Sequence, residues 1–231
     1  MTAHTELKKL YDAGAHMGHS RTRRHPTASP FIFSTKDRTD VFDLEQTQKR
    51  FATAIEFLQE LSRTGKTAVF VGGKHEAMRI VKEAAVRIGA PYVAGRWIGG
   101  TLTNFKIIRK RIDRLERLMK ERESGELEKY TKRERLMLDR EIDELTNRFG
   151  GIVSLRDIPG ALVVIDTRFE HIAVKEANQL GIPVVGLAST DCDFSQIQFP
   201  VPANDTSVKS IQYVVEALAD AYQEGKRPQA K

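Results

Sequence analysis

Three short apolar segments constrain the fold of this chain more than any other feature, because each has the character of a β-strand buried on both faces. They span residues 67–71, 161–165 and 183–187. Continuous runs of Val, Ile and Leu of this length are typical of parallel strands covered by helices on both sides. Two weaker candidates, residues 92–93 and 199–201, would extend the same sheet. We therefore predict an α/β fold with a doubly wound, mostly parallel sheet flanked by helices.

Amphipathic helices are predicted between these strands, because apolar residues recur there at helical spacing. The three predicted apolar faces consist of Phe51, Ala54, Ile55, Leu58 and Leu61, then Ala77, Ile80, Val81, Ala84, Ala85 and Ile88, and finally Val208, Ile211, Val215, Leu218 and Tyr222. Glycines stand where these and one further helix should stop, at Gly65, Gly89, Gly181 and Gly225. We expect each of them to be a left-handed helix cap.

Residues 105–149 follow a different pattern, which indicates an antiparallel coiled-coil helical hairpin inserted into the sheet domain. Two apolar seams, separated by a charged break, run through Phe105, Ile108, Ile112, Leu115 and Met119 and then through Leu138, Ile142, Leu145 and Phe149. The predicted domains are therefore a sheet domain of residues 1–104 and 150–231 and a hairpin of residues 105–149. Within the first, residues 13–36 form a basic N-terminal arm.

Composition excludes several classes of protein. With 40% hydrophobic and 29% charged residues, the chain has the balance of a soluble globule rather than of a disordered chain. No apolar run approaches the roughly 18 residues of a membrane span, and Met1 to Leu10 lacks the apolar region of a secretory signal. Cys192 is the only cysteine, so no internal disulfide is possible. We expect a cytoplasmic protein with no membrane partner.

The positive charge is concentrated in two places, although the net charge is only +6. Residues 13–36 contain no acid but carry Arg21, Arg23, Arg24 and Lys36, together with His16, His19 and His25. Arginines without acidic neighbours suit contacts to phosphate, which position a protein without reading sequence. An ordinary solvated loop is the alternative.

The second concentration lies on the first arm of the predicted hairpin. In the heptad register, its outward positions are Lys106, Lys110, Asp113, Arg114, Arg117 and Lys120. The outward face of the second arm is mixed or acidic, with Arg140, Asp143, Glu144 and Asn147. The asymmetry predicts that the first arm faces a polyanion.

No catalytic residue, metal site or cofactor is predicted. The loop Gly72-Gly73-Lys74 lacks the spacing of a dinucleotide or Walker motif, and we interpret it as a tight turn. Asp166 and Asp191 follow predicted strands, where capping is the ordinary role of aspartate. Donor atoms suitable for a divalent ion are present on His16, His19, Asp191, Asp193 and Asp205. Nothing in the sequence brings the histidines and the aspartates together.

Several longer motifs resemble the bacterial-type family of the second protein of the small ribosomal subunit. They are GAHMGH at 14–19, RWIGGTLTNF at 96–105, EHIAVKEA at 170–177, GIPVV at 181–185 and PAND at 202–205. The resemblance runs from Leu10 to Tyr222. The chain departs from the family pattern at Met17, Gly73 and Phe194, which affects local packing and one turn.

This resemblance implies a structural, non-enzymatic protein that binds small-subunit ribosomal RNA and neighbouring ribosomal proteins, including the first small-subunit protein. It implies no DNA partner. For Trp97, between Arg96 and two glycines, two roles stay open: a core residue beneath a nucleic-acid contact, or a ring that stacks on a base. The predicted RNA-binding residues are Arg21, Arg23, Arg24, His25, Lys36, Arg96, Trp97, Asn104, Lys106, Lys110, Arg114 and Arg117.

Two other classes of function compete with this one. An enzyme of the doubly wound class, such as a sugar-phosphate isomerase or a nucleotide-dependent enzyme, would use Gly72-Gly73-Lys74 and the polar strand ends. A protein-only scaffold would use the hairpin to dimerise. Bound RNA, a saturable small ligand or an RNA-free dimer would distinguish the three after purification.

Overall fold

The structure is a computed structural model that describes the backbone of residues 3–226 and the side chains of residues 6–226. The elements, in chain order, are α1 (Ala3–Asp12), β1 (Met17–Ser20), β2 (Ile32–Lys36), β3 (Thr39–Phe42), α2 (Leu44–Arg63), β4 (Ala68–Val71), α3 (His75–Ile88), β5 (Tyr92–Val93), α4 (Phe105–Glu123), α5 (Lys132–Phe149), β6 (Ala161–Ile165), α6 (His171–Gln179), β7 (Val184–Ala188), β8 (Phe199–Pro202) and α7 (Val208–Lys226). Among these described helices, none has both the length and the apolar character that crossing a membrane requires.

The main sheet has five parallel strands in the order β5-β4-β6-β7-β8. Every residue of β4, β6 and β7 is buried. Alternate side chains enter two separate cores, with Phe70 and Val163 on one face and Val69 and Leu162 on the other. Because both faces are covered, the prediction of a doubly wound α/β fold is confirmed.

Helices α2, α3 and α7 pack on one face of this sheet, while α6 covers the other. The predicted face of α3 is buried in full, and that of α2 is buried except for the half-buried Ile55. At the start of α7 the prediction is wrong, because Val208 is 49% exposed. The other predicted core residues of this helix are buried.

Helices α4 and α5 form an antiparallel pair, since the start of α4 lies beside the end of α5 and Arg114 reaches Glu141 halfway along. The buried residues of α4 are Ile108, Ile112, Leu115 and Leu118. Phe105, Met119 and Leu138 of the predicted seams are half-buried and pack against this core, whereas Leu118, which the prediction leaves out, is buried. From α5, Ile142, Leu145 and Phe149 complete this core.

Strands β1, β2 and β3 form a second, antiparallel sheet in the order β1-β3-β2. It includes much of the basic arm of residues 13–36, so most of this arm is part of a paired sheet. The backbone of this segment is paired, and Phe31 and Phe42 anchor it in the core. Strand β2 is exposed along most of its length, which explains why it shows no apolar alternation.

The glycine caps are confirmed at Gly65, Gly89 and Gly181, all of which have positive φ. Gly225 is different, because it lies inside α7 and is buried. A Cβ at this position would lie 2.3 Å from the backbone oxygen of Gln59 and 2.7 Å from the Cβ of Ser62. Gly225 therefore allows α7 and α2 to approach closely, and its prediction as a cap is wrong.

This contact predicts whether a substitution of Gly225 raises or lowers the free energy of unfolding. Gly225→Ala should lower the free energy of unfolding by about 1–3 kcal/mol, because the methyl group overpacks the helix crossing. In an uncrowded helix, the same change would raise it by about 0.5–1 kcal/mol. Urea denaturation measures the difference. Gly95→Ala is the control, since a Cβ there meets no atom within 4 Å. A stabilised Gly225→Ala variant would contradict the close approach of α7 and α2 at this position.

Candidate nucleic-acid interface

The carboxyl ends of β4 and β6 form the crevice where open α/β sheets usually bind ligands. Here the loop that follows β4 is closed by internal contacts. The backbone N–H of Gly73 donates to Oε1 of Glu170 at 2.7 Å, and Nζ of Lys74 donates to Oδ2 of Asp166 at 2.9 Å. Burial raises the pKa of Glu170 to about 7, although the Gly73 N–H opposes this shift. The loop is thus a tight turn whose polar groups bind each other.

The small sheet rests on the neighbouring part of this edge, beyond β7 and β8. The backbone N–H of His19 donates to Oγ1 of Thr190 at 2.9 Å, and that of His25 donates to the Thr190 carbonyl at 2.8 Å. Nδ2 of Asn204 donates to the carbonyl of Gly14 at 3.0 Å. These bonds fix the orientation of the basic segment relative to the main sheet.

The cations of this segment fall into two groups. Arg21, Arg23 and Lys36 are exposed and form no ion pair with any described residue. Arg24, in contrast, donates from Nε to Oδ2 of Asp40 at 2.7 Å, and its Nη2 contacts Oδ1 of the same carboxylate. Asp40 is fully buried, so Arg24 neutralises a charge of the core.

The segment between β5 and α4 is organised by one carboxylate, that of Glu176 on α6. Its oxygens accept hydrogen bonds from the backbone N–H groups of Gly100, Leu102 and Thr103 at 2.6, 2.9 and 3.2 Å. Nε1 of Trp97 lies 3.4 Å from the same carboxylate. Glu176 is buried, so these contacts hold the segment against the core.

Trp97 is only 4% exposed, which favours its role as a core residue beneath the surface over stacking on a base. Arg96 and Asn104, at the two ends of the motif, are exposed. Asn104 also marks the beginning of α4. The Glu176 network therefore sets where both side chains and the first turn of α4 lie.

On α4, the side chains of Lys106, Lys110 and Arg117 are exposed and unpaired within the described part of the chain. Arg114, an outward position in the heptad register, is only half-exposed and is paired. Its Nε and Nη2 both donate to Glu141 of α5 at 3.2 Å. The outward charge of α4 is therefore carried by fewer residues than predicted, although it stays positive.

Of the five candidate metal ligands in the sequence, the structure brings three together. Nε2 of His19 lies 3.6 Å from Oδ1 of Asp191 and 3.3 Å from Oδ1 of Asp205. His16 stacks on Tyr11 instead, with ring centroids 4.5 Å apart. The fifth candidate, Asp193, accepts bonds from the side chains of two neighbours, Ser195 and Gln196.

The structural roles of two carboxylates, Asp40 and Glu176, were not predicted from the sequence. The role of Glu176 could have been predicted, because this residue lies on the apolar face of its helix beside Ala173 and Ala177. A charged residue at a core position needs buried partners. Asp40 follows the turn after β2 and gives no such signal.

Comparison with known proteins now decides the family. The model of the family described as ribosomal protein S2 matches residues 10–225. The chain belongs to this family. It is 41% identical over 220 residues to the small ribosomal subunit protein uS2 of Nitratiruptor sp., covering 95% of this chain and 82% of the relative.

Two further relatives with the same name agree. The uS2 protein of Dictyoglomus thermophilum is 40% identical, with 97% of this chain and 91% of the relative covered. That of Picosynechococcus sp. is 41% identical, with 96% and 87% covered. The resemblance read from the motifs is confirmed. As the family is one of structural, non-enzymatic ribosomal proteins, the enzyme alternative is wrong.

The Arg24–Asp40 pair generates a stability prediction. Arg24→Ala should lower the free energy of unfolding by about 3 kcal/mol, because it leaves a buried carboxylate unpaired. Arg24 holds the pKa of Asp40 below its usual range, so the stabilisation is present at neutral pH and lost as the pH falls through that lowered pKa.

Denaturation of Arg24→Ala and Arg23→Ala at pH 7 tests this, with the exposed Arg23 as the matched control. We expect Arg23→Ala to stay within about 0.5 kcal/mol of the wild type. Equal stabilities for the two variants would show that the pair contributes nothing.

The Glu176 network generates a second prediction. Glu176→Ala removes the acceptor of three backbone N–H groups and should lower the free energy of unfolding by about 3 kcal/mol, since each buried donor left unpaired costs about 1–3 kcal/mol. The emission of Trp97, the only tryptophan, should shift to the red as water enters. Lys175→Ala, on the exposed side of α6, is the control. An unshifted emission in Glu176→Ala would contradict this role.

Proposed function

We propose that the chain binds small-subunit ribosomal RNA through the exposed cations of the small sheet, of the ends of the Trp97 motif and of α4. The proposed contacts are the exposed cations Arg21, Arg23, Lys36, Arg96, Lys106, Lys110 and Arg117, together with the exposed Asn104 and the half-buried His25, whose Nδ1 lies 2.8 Å from Oγ1 of Thr27. The observation that carries the proposal is the division of the cations into those that are paired with a carboxylate of the same chain and those that are not. Arg24, Arg109 and Arg114 are paired with carboxylates of the same chain, whereas Lys106, Lys110 and Arg117 have no carboxylate partner among the described residues.

Three of the predicted RNA-binding residues take a supporting role in this proposal. Arg24 and Arg114 hold the small sheet and the hairpin through their ion pairs, and Trp97 supports the loop from below. Exposed, unpaired cations are the ones that release counterions when they meet phosphate. The three supporting residues therefore stabilise the conformation of the interface and add no unpaired positive charge to it.

We further propose that the chain works in the cytoplasmic small subunit and contacts neighbouring ribosomal proteins, including the first small-subunit protein. The names of its relatives as small ribosomal subunit proteins support this assignment. In this proposal, residues 105–149 act as an arm distinct from the sheet domain. The apolar seam of the arm is filled by its own two helices, for example by Ile112 and Ile142, which argues against the dimerisation alternative.

The salt dependence of RNA binding tests the α4 surface. Changing Lys106, Lys110 and Arg117 together to Gln should reduce the slope of log Kobs against log salt by about two, since each lost phosphate contact lowers it by about 0.7–0.9. The measurement uses the purified chain and small-subunit ribosomal RNA over a range of salt concentrations.

A triple change of Lys132, Arg133 and Arg140 on α5 to Gln is the matched control, because these cations are also exposed and equal in number. We expect it to change the slope by less than about one. If both triple variants change the slope equally, or neither does, α4 is not the RNA-facing arm.

A further inference from the structure

A small cavity opens at the carboxyl edge of the main sheet, between the loop after β4, the segment after β5 and the beginning of α6. Its volume is about 330 Å³, near the lower end of the range of roughly 300–1,000 Å³ that is usual for ligand sites. The residues that line it are Gly73, Arg96, Trp97, Phe169, Glu170 and Ile172. Because open α/β sheets bind ligands at this edge, the cavity is a candidate binding site.

One buried acceptor in this cavity lacks a partner. Glu170 is 3% exposed, and its carboxylate accepts one hydrogen bond, from the backbone N–H of Gly73 to Oε1. The second oxygen, Oε2, accepts none from any described residue. Since Glu170 lines the cavity, this oxygen is accessible from there. Buried polar atoms are nearly always hydrogen-bonded, so the cavity suits an occupant that brings a donor group.

The mouth of the cavity combines apolar side chains with a cation. Phe169 is 55% exposed and Ile172 is 42% exposed. Arg96 is also exposed and forms no ion pair with any described residue. Proteins bind single-stranded nucleic acid with such a combination, in which an aromatic ring stacks on a base and a cation contacts the phosphate backbone. Arg96 therefore connects this cavity with the RNA surface proposed above.

We propose that the cavity binds one unpaired RNA base that carries an exocyclic amino group, as adenine, cytosine and guanine do. The base stacks on the ring of Phe169, and its amino group donates to Oε2 of Glu170. Arg96 contacts a neighbouring phosphate. The proposal rests on the proposed RNA binding and adds to it a preference among bases, which phosphate contacts alone do not give.

The preference follows from the chemistry of the free acceptor. An amino group at the edge of a base can donate to Oε2 of Glu170 without bringing two acceptors beside it. Uracil has no amino group, and its edge donor N3–H lies between two carbonyl oxygens that a carboxylate repels. A peptide could also donate to this oxygen, but Arg96 and the neighbouring exposed cations favour a polyanion.

Fluorescence titration of the RNA-free full chain with short single-stranded oligo(A), oligo(C) and oligo(U) tests the proposal. Trp97 is the only tryptophan and lines the cavity, so a change in its emission reports a base bound there. At pH 8 Glu170 is ionised, because its pKa is about 7. We expect oligo(A) and oligo(C) to bind at least about tenfold more tightly than oligo(U), as one hydrogen bond to a charged group would produce.

Glu170→Gln tests the role of the carboxylate. The amide oxygen can still accept from Gly73, and the NH₂ group then faces the cavity as a donor, which suits the carbonyl oxygens of uracil. The ratio of the affinity for oligo(A) to that for oligo(U) should therefore fall by at least about tenfold.

Phe169→Ala tests the stacking. This variant should bind every oligonucleotide at least about fivefold more weakly, because it lacks the ring on which the base stacks. Phe33→Ala is the matched control, since Phe33 is an exposed phenylalanine that does not line the cavity. Its titrations should match those of the wild type.

Thermal unfolding shows whether each variant folds, and the surface change Phe169→Ala keeps the proposal testable if Glu170→Gln does not. Equal affinities of the wild type for oligo(A) and oligo(U), an unchanged ratio in Glu170→Gln, or equal affinities of Phe169→Ala and Phe33→Ala would each overturn the proposal. So would a Trp97 emission that no oligonucleotide changes, which would favour a protein occupant. Failure of the proposed function would appear separately, as an unchanged salt slope when Lys106, Lys110 and Arg117 are replaced.

Discussion

The central strands of the main sheet are buried on both faces, and the rest of the molecule is arranged to satisfy that condition. Helices α2, α3 and α7 cover one face. On the other face, the apolar cluster runs from sheet residues such as Leu162 through Trp97 into Ile108 and Phe149 at the base of the hairpin. The hairpin is thus joined to the core of the sheet, because one continuous apolar cluster includes residues of the sheet and of both hairpin helices. A rigid base of this kind gives the arm a defined direction.

Elements with strong periodicity were predictable from sequence, and those that depend on contacts between distant segments were not. The buried strands and the face of α3 followed from runs and spacing alone. Strands β1 and β2 did not, since neither contains a fully buried residue and so neither shows an alternation to detect. Gly225 was predicted as a cap because the close approach of Gln59, which explains this glycine, is a tertiary contact that the local sequence does not show. The meeting of His19 with Asp191 and Asp205 joins residues more than 170 positions apart, so no local pattern could indicate it.

Positive charge in this chain has two structural uses, and only the folded structure separates them. Arg24 and Arg114 were predicted as phosphate contacts because they lie in basic segments, yet each is paired with a carboxylate elsewhere in the fold. Asp40 comes 16 residues after Arg24, and Glu141 lies on the opposite helix of the hairpin. A sequence window around either arginine contains no sign of its partner. Net charge in a segment therefore overstates how many cations a polyanion can meet.

The carboxyl edge of the sheet shows how a fold shared with many enzymes serves here as a structural joint. In an enzyme of this class, the groups at this edge would face a substrate. In this chain, Lys74 is bonded to Asp166, Gly73 to Glu170, and Thr190 to the backbone of the small sheet. The polar groups that parallel strands expose at their ends are thus used to hold a second sheet in place. Since Arg21 and Arg23 follow directly after β1 of that second sheet, the hydrogen bonds of the edge also determine where these two exposed cations are presented.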